Sequence, residues 1–277
     1  MALPPLMGAS APPITALILG SRSIPDYSPR IATLLDDVPG SRIVAVDIEP
    51  DEACPAGWEF SPAFIGRPST GRMFYHANAP ICSSLYRPNW DCMNQYDDLS
   101  SLAVLCAERV NVISLDEFTQ GKRPIHFIGA DIQGAELEAF TSGPLTLADT
   151  LMIQAEAQVA PMYEGAPMWR DLDAGLDAMG FMLYRPIAYQ AFPEVGLTTD
   201  YGDGSGRCMW GEFLYVRKDY AALGADALLR LAVLSHIHGQ RHLATVCLER
   251  AAGRAVAEEY VRLVRPALAT PEKGEKE

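Results

Sequence analysis

Acids stand at the ends of three apolar runs in this chain, and that placement is the first pointer to chemistry. Asp131 falls where the strand carried by Ile125, Phe127, Ile128 and Ile132 should end, Glu156 closes Leu151–Glu156, and Asp47 and Glu49 follow Arg42–Val46. A carboxylate in a partly dry site can take a proton from an attacking hydroxyl, because burial raises its pKa toward neutrality. The two oxygens of a carboxylate can instead accept both hydroxyls of a ribose. Asp131 and Glu156 are the candidates for the first task, with Asp131 the better placed. Asp47 and Glu49 are the candidates for the second: Asp47 stands directly at its strand end, Glu49 two residues on. Asp131 has a competing role, since its side chain also suits the cap of the helix that follows. Glu136 falls in the first turn of that helix, where it faces the helix dipole or holds the preceding loop.

Such roles require elements that deliver these acids to one place. Pro124–Gly143 reads as strand, acid, glycine turn and helix: a short apolar run, Asp131, Gly134, then helix formers with Leu137 and Phe140 at helical spacing up to Gly143-Pro144. An apolar run of this kind suits the buried centre of a parallel sheet. In an open α/β sheet, ligands bind outside the carboxyl ends of the strands. Ile14–Leu19 reads as a first strand ending at Gly20, with Ser21 next, where a cofactor loop belongs. Only one glycine is there, so a G-x-G-x-x-G dinucleotide loop is absent and a dehydrogenase is disfavoured.

Further strands are expected at Arg42–Val46, Met73–His76, Val110–Leu115, Leu151–Glu156, Phe181–Tyr184 and Glu212–Val216. The last two form an antiparallel pair around a long glycine- and acid-rich loop. Met168–Met179 reads as an amphipathic helix with Trp169, Leu172, Leu176 and Met179 on one face. Asp116 suits the cap of a short helix ending at Phe118, and Asn89–Leu99 suits a lid. After Asp219 the composition turns to alanine- and leucine-rich helical segments. Leu228, Leu231, Ala232 and Leu234 face inward on one, and Leu243, Val246, Cys247 and Ala251 on the next. The expected organisation is an α/β domain over 1–218, a helical appendage over 219–268 that suits packing on the main domain or on a second copy, and a disordered charged tail over 269–277.

The 277 residues carry a net charge of −13 without a dense Lys/Arg run. That argues against sequence-independent nucleic-acid binding and against docking on anionic lipid. No apolar run reaches the length of a membrane span, and no signal peptide is apparent at the start. Six scattered cysteines without C-x-x-C spacing fit a reduced, cytoplasmic protein. His238 and His242 lie one helical turn apart without a third ligand, so a solvated helix face is expected there rather than a metal site.

Several of these stretches carry a resemblance. Asp131-Ile132-Gln133-Gly134-Ala135-Glu136-Leu137 is similar to the D-[VI]-E-G-A-E-L signature of the FkbM family of S-adenosylmethionine-dependent methyltransferases. Ser114–Phe118, the strand ending at Glu156, Tyr163-Glu164-Gly165 and Gly180-Phe181 follow the family's order. The chain departs from it at Gln133, where the family usually has glutamate, at Gly129, and in the weak glycine motif near Gly20. The resemblance implies a class I methyltransferase-like (Rossmann-like) fold, with a mostly parallel seven-stranded sheet and a terminal antiparallel hairpin. It implies S-adenosylmethionine as cofactor, held near Gly20, Ser21, Asp47, Glu49, Asp131, Gly134 and Glu136, and it favours Glu49 for the ribose. Cys82-Ser83-Ser84-Leu85 is similar to a family stretch in which a serine, here Ser84, meets the cofactor or substrate; a plain turn is the other reading. The implied reaction is O-methylation of a small acceptor such as a sugar or glycan end. The alternative is a degenerate methyltransferase-like module that binds or assembles without catalysis.

Overall fold

The computed structural model describes residues 4, 7, 11–20, 31–48, 54–96, 99–195 and 206–265. Ser21, Glu49, most of the 198–206 loop and the 269–277 tail lie outside them. In chain order the elements are β1 (Thr15–Leu19), α1 (Thr33–Asp37), β2 (Arg42–Asp47), β3 (Glu59–Pro62), β4 (Phe64–Ile65), β5 (Ser69–Ala77), α2 (Trp90–Met93), β6 (Val104–Ile113), α3 (Leu115–Phe118) and β7 (Phe127–Ala130). There follow α4 (Glu136–Thr141), α5 (Pro144–Leu147), β8 (Met152–Gln158), α6 (Trp169–Ala178), β9 (Phe181–Phe192), β10 (Arg207–Arg217), α7 (Ala225–Ile237), α8 (Arg241–Ala252) and α9 (Arg254–Val264).

Seven strands form one sheet in the order β3-β2-β1-β7-β8-β10-β9. Strands β3, β2, β1, β7 and β8 are parallel, and β10 runs antiparallel to both β8 and β9. The expected fold is present: β7 is the central strand and the hairpin closes the sheet. Strand order reverses between β1 and β7, so the crevice at their carboxyl ends is the topological switch point where such sheets bind ligands. β1 and β7 are continuous apolar runs because both faces are covered, and all four residues of β7 are buried.

On one face, Leu17, Leu19, Val44, Val46, Ile128, Ala130, Ile153 and Ala155 pack with Phe140, Leu172 and Leu176 from α4 and α6. Each buried Leu or Phe contributes roughly 1.5–3 kcal/mol. Trp169 and Met179 flank that cluster, as the helical spacing predicts. A second, three-stranded sheet, β4-β6-β5, is inserted between β3 and β7.

Some local expectations change. β5, β6, β9 and β10 are longer than expected, because cross-strand pairing carries each of them beyond its expected run. Leu115 belongs to α3 rather than to the strand before it. Ser114, not Asp116, caps α3, through a 3.0 Å bond from Glu117 N. The Asp116 carboxylate instead accepts from Leu145 N, Thr146 N and Thr146 Oγ1 at the start of α5. Asn89–Leu99 is not a bare lid: Cys92, Met93, Tyr96 and Leu99 are buried with Met162, Tyr163 and Met209.

The chain divides into two compact units. One comprises Thr15–Ser28 and Arg42–Lys218; the other comprises Met1–Ile14, Pro29–Ser41 and Asp219–Glu277. In the second, Leu228, Leu231, Ala232 and Leu234 are buried as expected on α7. On α8 the buried face is Leu243, Ala244, Cys247 and Leu248, so the packed stripe is rotated from the one that includes Val246 and Ala251. His238 is buried with Nδ1 2.7 Å from Leu234 O, so only His242 lies on a solvated face. None of the described helices is long and apolar enough to cross a membrane.

Candidate functional site

Gly20 ends β1 with φ at +82°. Its N–H donates to Val46 O at 2.9 Å, and Asp131 N donates to Leu19 O at 2.9 Å. A Cβ at Gly20 would stand 1.7 Å from the Asp131 carbonyl oxygen. The glycine is therefore required by the meeting of two strand ends. The close approach expected of it is to the protein's own backbone, and it opens the floor of a cleft.

That cleft encloses about 80 Å³ and is partly open to solvent. Its floor is Gly20, Asp47, Asp131 and Gln133. Its walls are Ile48, Ala63, Phe64, Ile65, Phe74 and Leu85. β4 and β5 supply the aromatic wall, where the Phe64 and Phe74 rings meet edge-on at 4.9 Å. The small sheet is tied to α4 by Glu138. Its carboxylate accepts from Arg72, from the Tyr86 hydroxyl and from Arg67 N (3.2 Å), and the Arg72 guanidinium lies 4.9 Å from the Tyr86 ring centre. Burial alone pushes the Glu138 carboxyl up, and the Arg72 and Tyr86 bonds more than offset this, leaving its pKa lowered. Asp47 Oδ1 accepts from Ile48 N at 2.7 Å, which turns the carboxylate back over the end of β2 at the cleft.

A row of acids continues from this floor across the next two strands. Ala130 and Ala155 are the last registered pair of β7 and β8, and Asp131 and Glu156 follow them side by side. Adjacent strands lie about 4.8 Å apart. Glu212 of β10 is directly opposite Glu156. Glu156 is not at the end of β8, as its apolar run suggests, because β10 pairing carries the strand on to Gln158. It does stand just past the last β7 pair, beside Asp131. Alternation explains the row: Ile153, Ala155 and Ala157 face the main core, leaving Gln154, Glu156 and Gln158 on the other face. Gln154 Nε2 donates to Glu212 Oε2 at 2.9 Å.

Gln133 joins the row from the loop. It has φ of +54°, the one positive value at a non-glycine among the described residues. Its Nε2 donates to Asp131 Oδ1 (2.5 Å) and Glu156 Oε1 (3.3 Å), and its Oε1 accepts from the Tyr163 hydroxyl (2.6 Å). The cap residue of α4 is Ala135 with no side-chain cap bond, so the capping role considered for Asp131 is not the one it takes. Glu136 holds the loop: its Oε1 accepts from Ile132 N (2.8 Å) and Gly134 N (3.3 Å).

Electrostatics follow the geometry. Burial, then the Asp131 charge, pushes the Glu136 carboxyl up to about 8, although it accepts backbone bonds. Burial, then Asp131, Glu212 and Glu136, raises Glu156 well above the usual carboxylate range. Burial likewise raises the Tyr163 hydroxyl.

Of the residues singled out in the sequence, Gly20, Asp47 and Asp131 converge on the cleft, and Glu156 stands beside Asp131. Ser84, Gly134 and Glu136 do not line it. The Ser84 hydroxyl donates to Gln133 O (2.6 Å) and accepts from Tyr86 N (2.9 Å), so it braces the loop. Gly134, at φ +98°, packs under Ala166, Tyr86 and Tyr163. Glu212 and the hub at Gln133 were not foreseen. The only sequence signal for the hub was Gln133 itself, where the resemblance favours glutamate.

No curated protein matches the chain significantly. A solved chain described as the structure of LepI in complex with SAM is 11% identical, with a TM-score of 0.32. The match covers 76% of this chain and 44% of that one, so this chain spans less than half of that protein's length. The methyltransferase FkbM domain family matches residues 33–183, from α1 to the start of β9 and more than half of the sequence, and the chain belongs to that family.

Proposed function

We propose that this protein is an S-adenosylmethionine-dependent O-methyltransferase acting on a hydroxyl of a small acceptor, such as a sugar or glycan end. The observation that carries the reading is the convergence of an apolar, aromatic-walled slot and two strand-end acids at the switch point of the sheet. An adenosine fits that combination. The slot formed by Ile48, Phe64 and Phe74 takes a flat heterocycle, and Asp47 at the β2 end suits ribose hydroxyls. When bound, the cofactor supplies an activated methyl group on a sulfonium. The protein's part is alignment and proton handling. As the acceptor oxygen bonds to the methyl carbon, the carbon–sulfur bond breaks and its electron pair stays on sulfur. The hydroxyl proton passes to Asp131, the acid that faces both the cleft and the acid row.

Calorimetry with S-adenosylmethionine tests the reading without knowledge of the acceptor. The full chain should bind it, and Asp47→Ala should weaken binding by roughly 1.5–3 kcal/mol, the scale of hydrogen bonds to a charged group. Absence of binding by the folded parent would sink the enzyme reading in favour of a non-catalytic module. Unchanged affinity in Asp47→Ala would remove that residue from the ribose site.

A further inference from the structure

Gln133 is held in an unfavourable conformation by contacts at every polar atom of its side chain. A non-glycine residue at φ +54° is strained and persists where its surroundings over-determine it. Here they do. Ser84 Oγ donates to the backbone carbonyl at 2.6 Å, Tyr163 OH donates to Oε1 at 2.6 Å, and Nε2 faces two carboxyls. Tyr163 is itself fixed: its N–H donates to Gln158 Oε1 at 3.1 Å, its hydroxyl lies 3.0 Å from Cys82 O, and its side chain is buried. An amide nitrogen has two protons, and two carboxyls are there to receive them. The opposite orientation would set the amide oxygen against both acids and require a proton from each.

We propose that Gln133 is a positioning residue: clamped by Tyr163 and Ser84, its amide bridges Asp131 and Glu156 and gives the two acids different tasks. Asp131 is the ionised acceptor, poised for the proton of the methyl acceptor. Glu156 is the protonated neighbour that limits the charge of the row. The assignment of Asp131 as base rests on the function proposed above; the clamp itself does not.

Geometry distinguishes the two acids. The 2.5 Å bond goes to Asp131 and the 3.3 Å bond to Glu156, and hydrogen bonds to an ionised acceptor are the shorter ones. Glu156 is also the acid with titratable groups around it on every side. Asp131 faces it from β7, Glu212 from β10 and Glu136 from the first turn of α4, and the Cys82 thiol adds to them. Two carboxylates opposed across neighbouring strands do not both ionise easily.

The test is a carboxyl titration by NMR on the full, unliganded chain carrying ¹³C-labelled Asp and Glu, with signals assigned from Asp131→Asn and Glu156→Gln. In the parent, Asp131 should titrate well below Glu156. Gln133→Gly removes the amide, and glycine takes φ +54° without strain. Its Asp131 midpoint should rise by about one pH unit or more, since a hydrogen bond to the charged form holds a carboxylate down. Gln133→Glu should add a third coupled titration and raise both midpoints. Tyr163→Phe keeps the amide but removes its orienting hydroxyl, and should move Asp131 the same way by less. Unchanged midpoints in folded Gln133→Gly overturn the proposal. Should that variant not fold, unchanged midpoints in Tyr163→Phe overturn it instead. Neither cofactor nor acceptor enters the experiment, so its failure is separate from a failure of S-adenosylmethionine to bind.

Discussion

The crevice at the top of the sheet has two sides built by different rules. On the β1–β2 side the surface is apolar, and polar contact is concentrated in Asp47 and the strand-end backbone. On the β7–β8–β10 side, Asp131, Glu156 and Glu212 stand side by side; the Gln133 amide bridges Asp131 and Glu156, and the Gln154 amide donates to Glu212. One side is an apolar surface. The other is a hydrogen-bonded network in which each carboxyl's protonation depends on its neighbours. Gly20 and Asp131 meet at the seam between them. A site with this division can hold a largely apolar group on one side while it manages a proton on the other.

The largest effect should come from the seam. In Gly20→Ala, the new methyl would stand 1.7 Å from a backbone oxygen that cannot swing away, at a φ of +82°. The expected loss is about 4 kcal/mol or more, the range reserved for core-level disruption. Gly165→Ala is the control. That glycine has φ of +70° with nothing within 4 Å of an added Cβ, so it isolates the conformational cost, about 1–2 kcal/mol. Equal losses in urea unfolding would show that the seam is not under the steric control described here.

Next in size is the effect of Asp131→Asn on the acid side. Asparagine keeps the shape, removes the charge and leaves the β1–β2 side untouched. Turnover on an accepted substrate should fall by about 10²–10⁴, the range for losing a positioned base. S-adenosylmethionine affinity should change little. Unchanged turnover would remove Asp131 from proton transfer, and a matching fall in affinity would move it from the acid side to the cofactor side.

The same division explains what was legible in the sequence. β1, β2 and β7 could be read because a strand buried on both faces is a continuous apolar run. Their terminal acids, Asp47 and Asp131, fell where the runs stop. Glu212 could not be placed, since its position depends on pairing with β8 across more than fifty residues of chain. The extent of β8 was misjudged for the same reason: Ala157 and Gln158 carry no strand signal until β10 lies beside them. Gln133 was visible only as an unexpected residue type. Its role needs a positive φ and a tyrosine thirty positions away, and neither leaves a periodic trace. Ser84 and Glu136 each had a structural reading beside the ligand one, a turn and a loop brace, and their bonds are of that kind, because buried polar groups first satisfy the nearest backbone. Here that backbone is the loop itself.

The effect that is smallest at each step, and the finest test of the difference between the two sides, is the pH dependence that Glu136 gives to folding. Its carboxyl is buried, and its pKa rises from an ordinary value near 4.5 to about 8. Between those two values the folded chain binds a proton that the unfolded chain has released. Stability therefore falls as pH rises through that window, by up to about 1.4 kcal/mol per pH unit for one proton. Below the window both states are protonated and the group contributes no slope. Glu136→Gln retains an oxygen that can accept from Ile132 N and Gly134 N, so the loop keeps its brace, while the titration is gone. The variant should match the parent near pH 4.5 and gain on it steadily toward pH 8. Glu156 is raised by burial and by Asp131 too, with Glu212 besides, so part of the slope should persist in the variant and disappear only when Glu156→Gln is added. Urea unfolding at intervals of half a pH unit measures both. A stability difference between Glu136→Gln and parent that stays constant from pH 5 to pH 8 would mean that the carboxyl is ionised throughout, and that the acid side carries more charge than the Gln133 network divides.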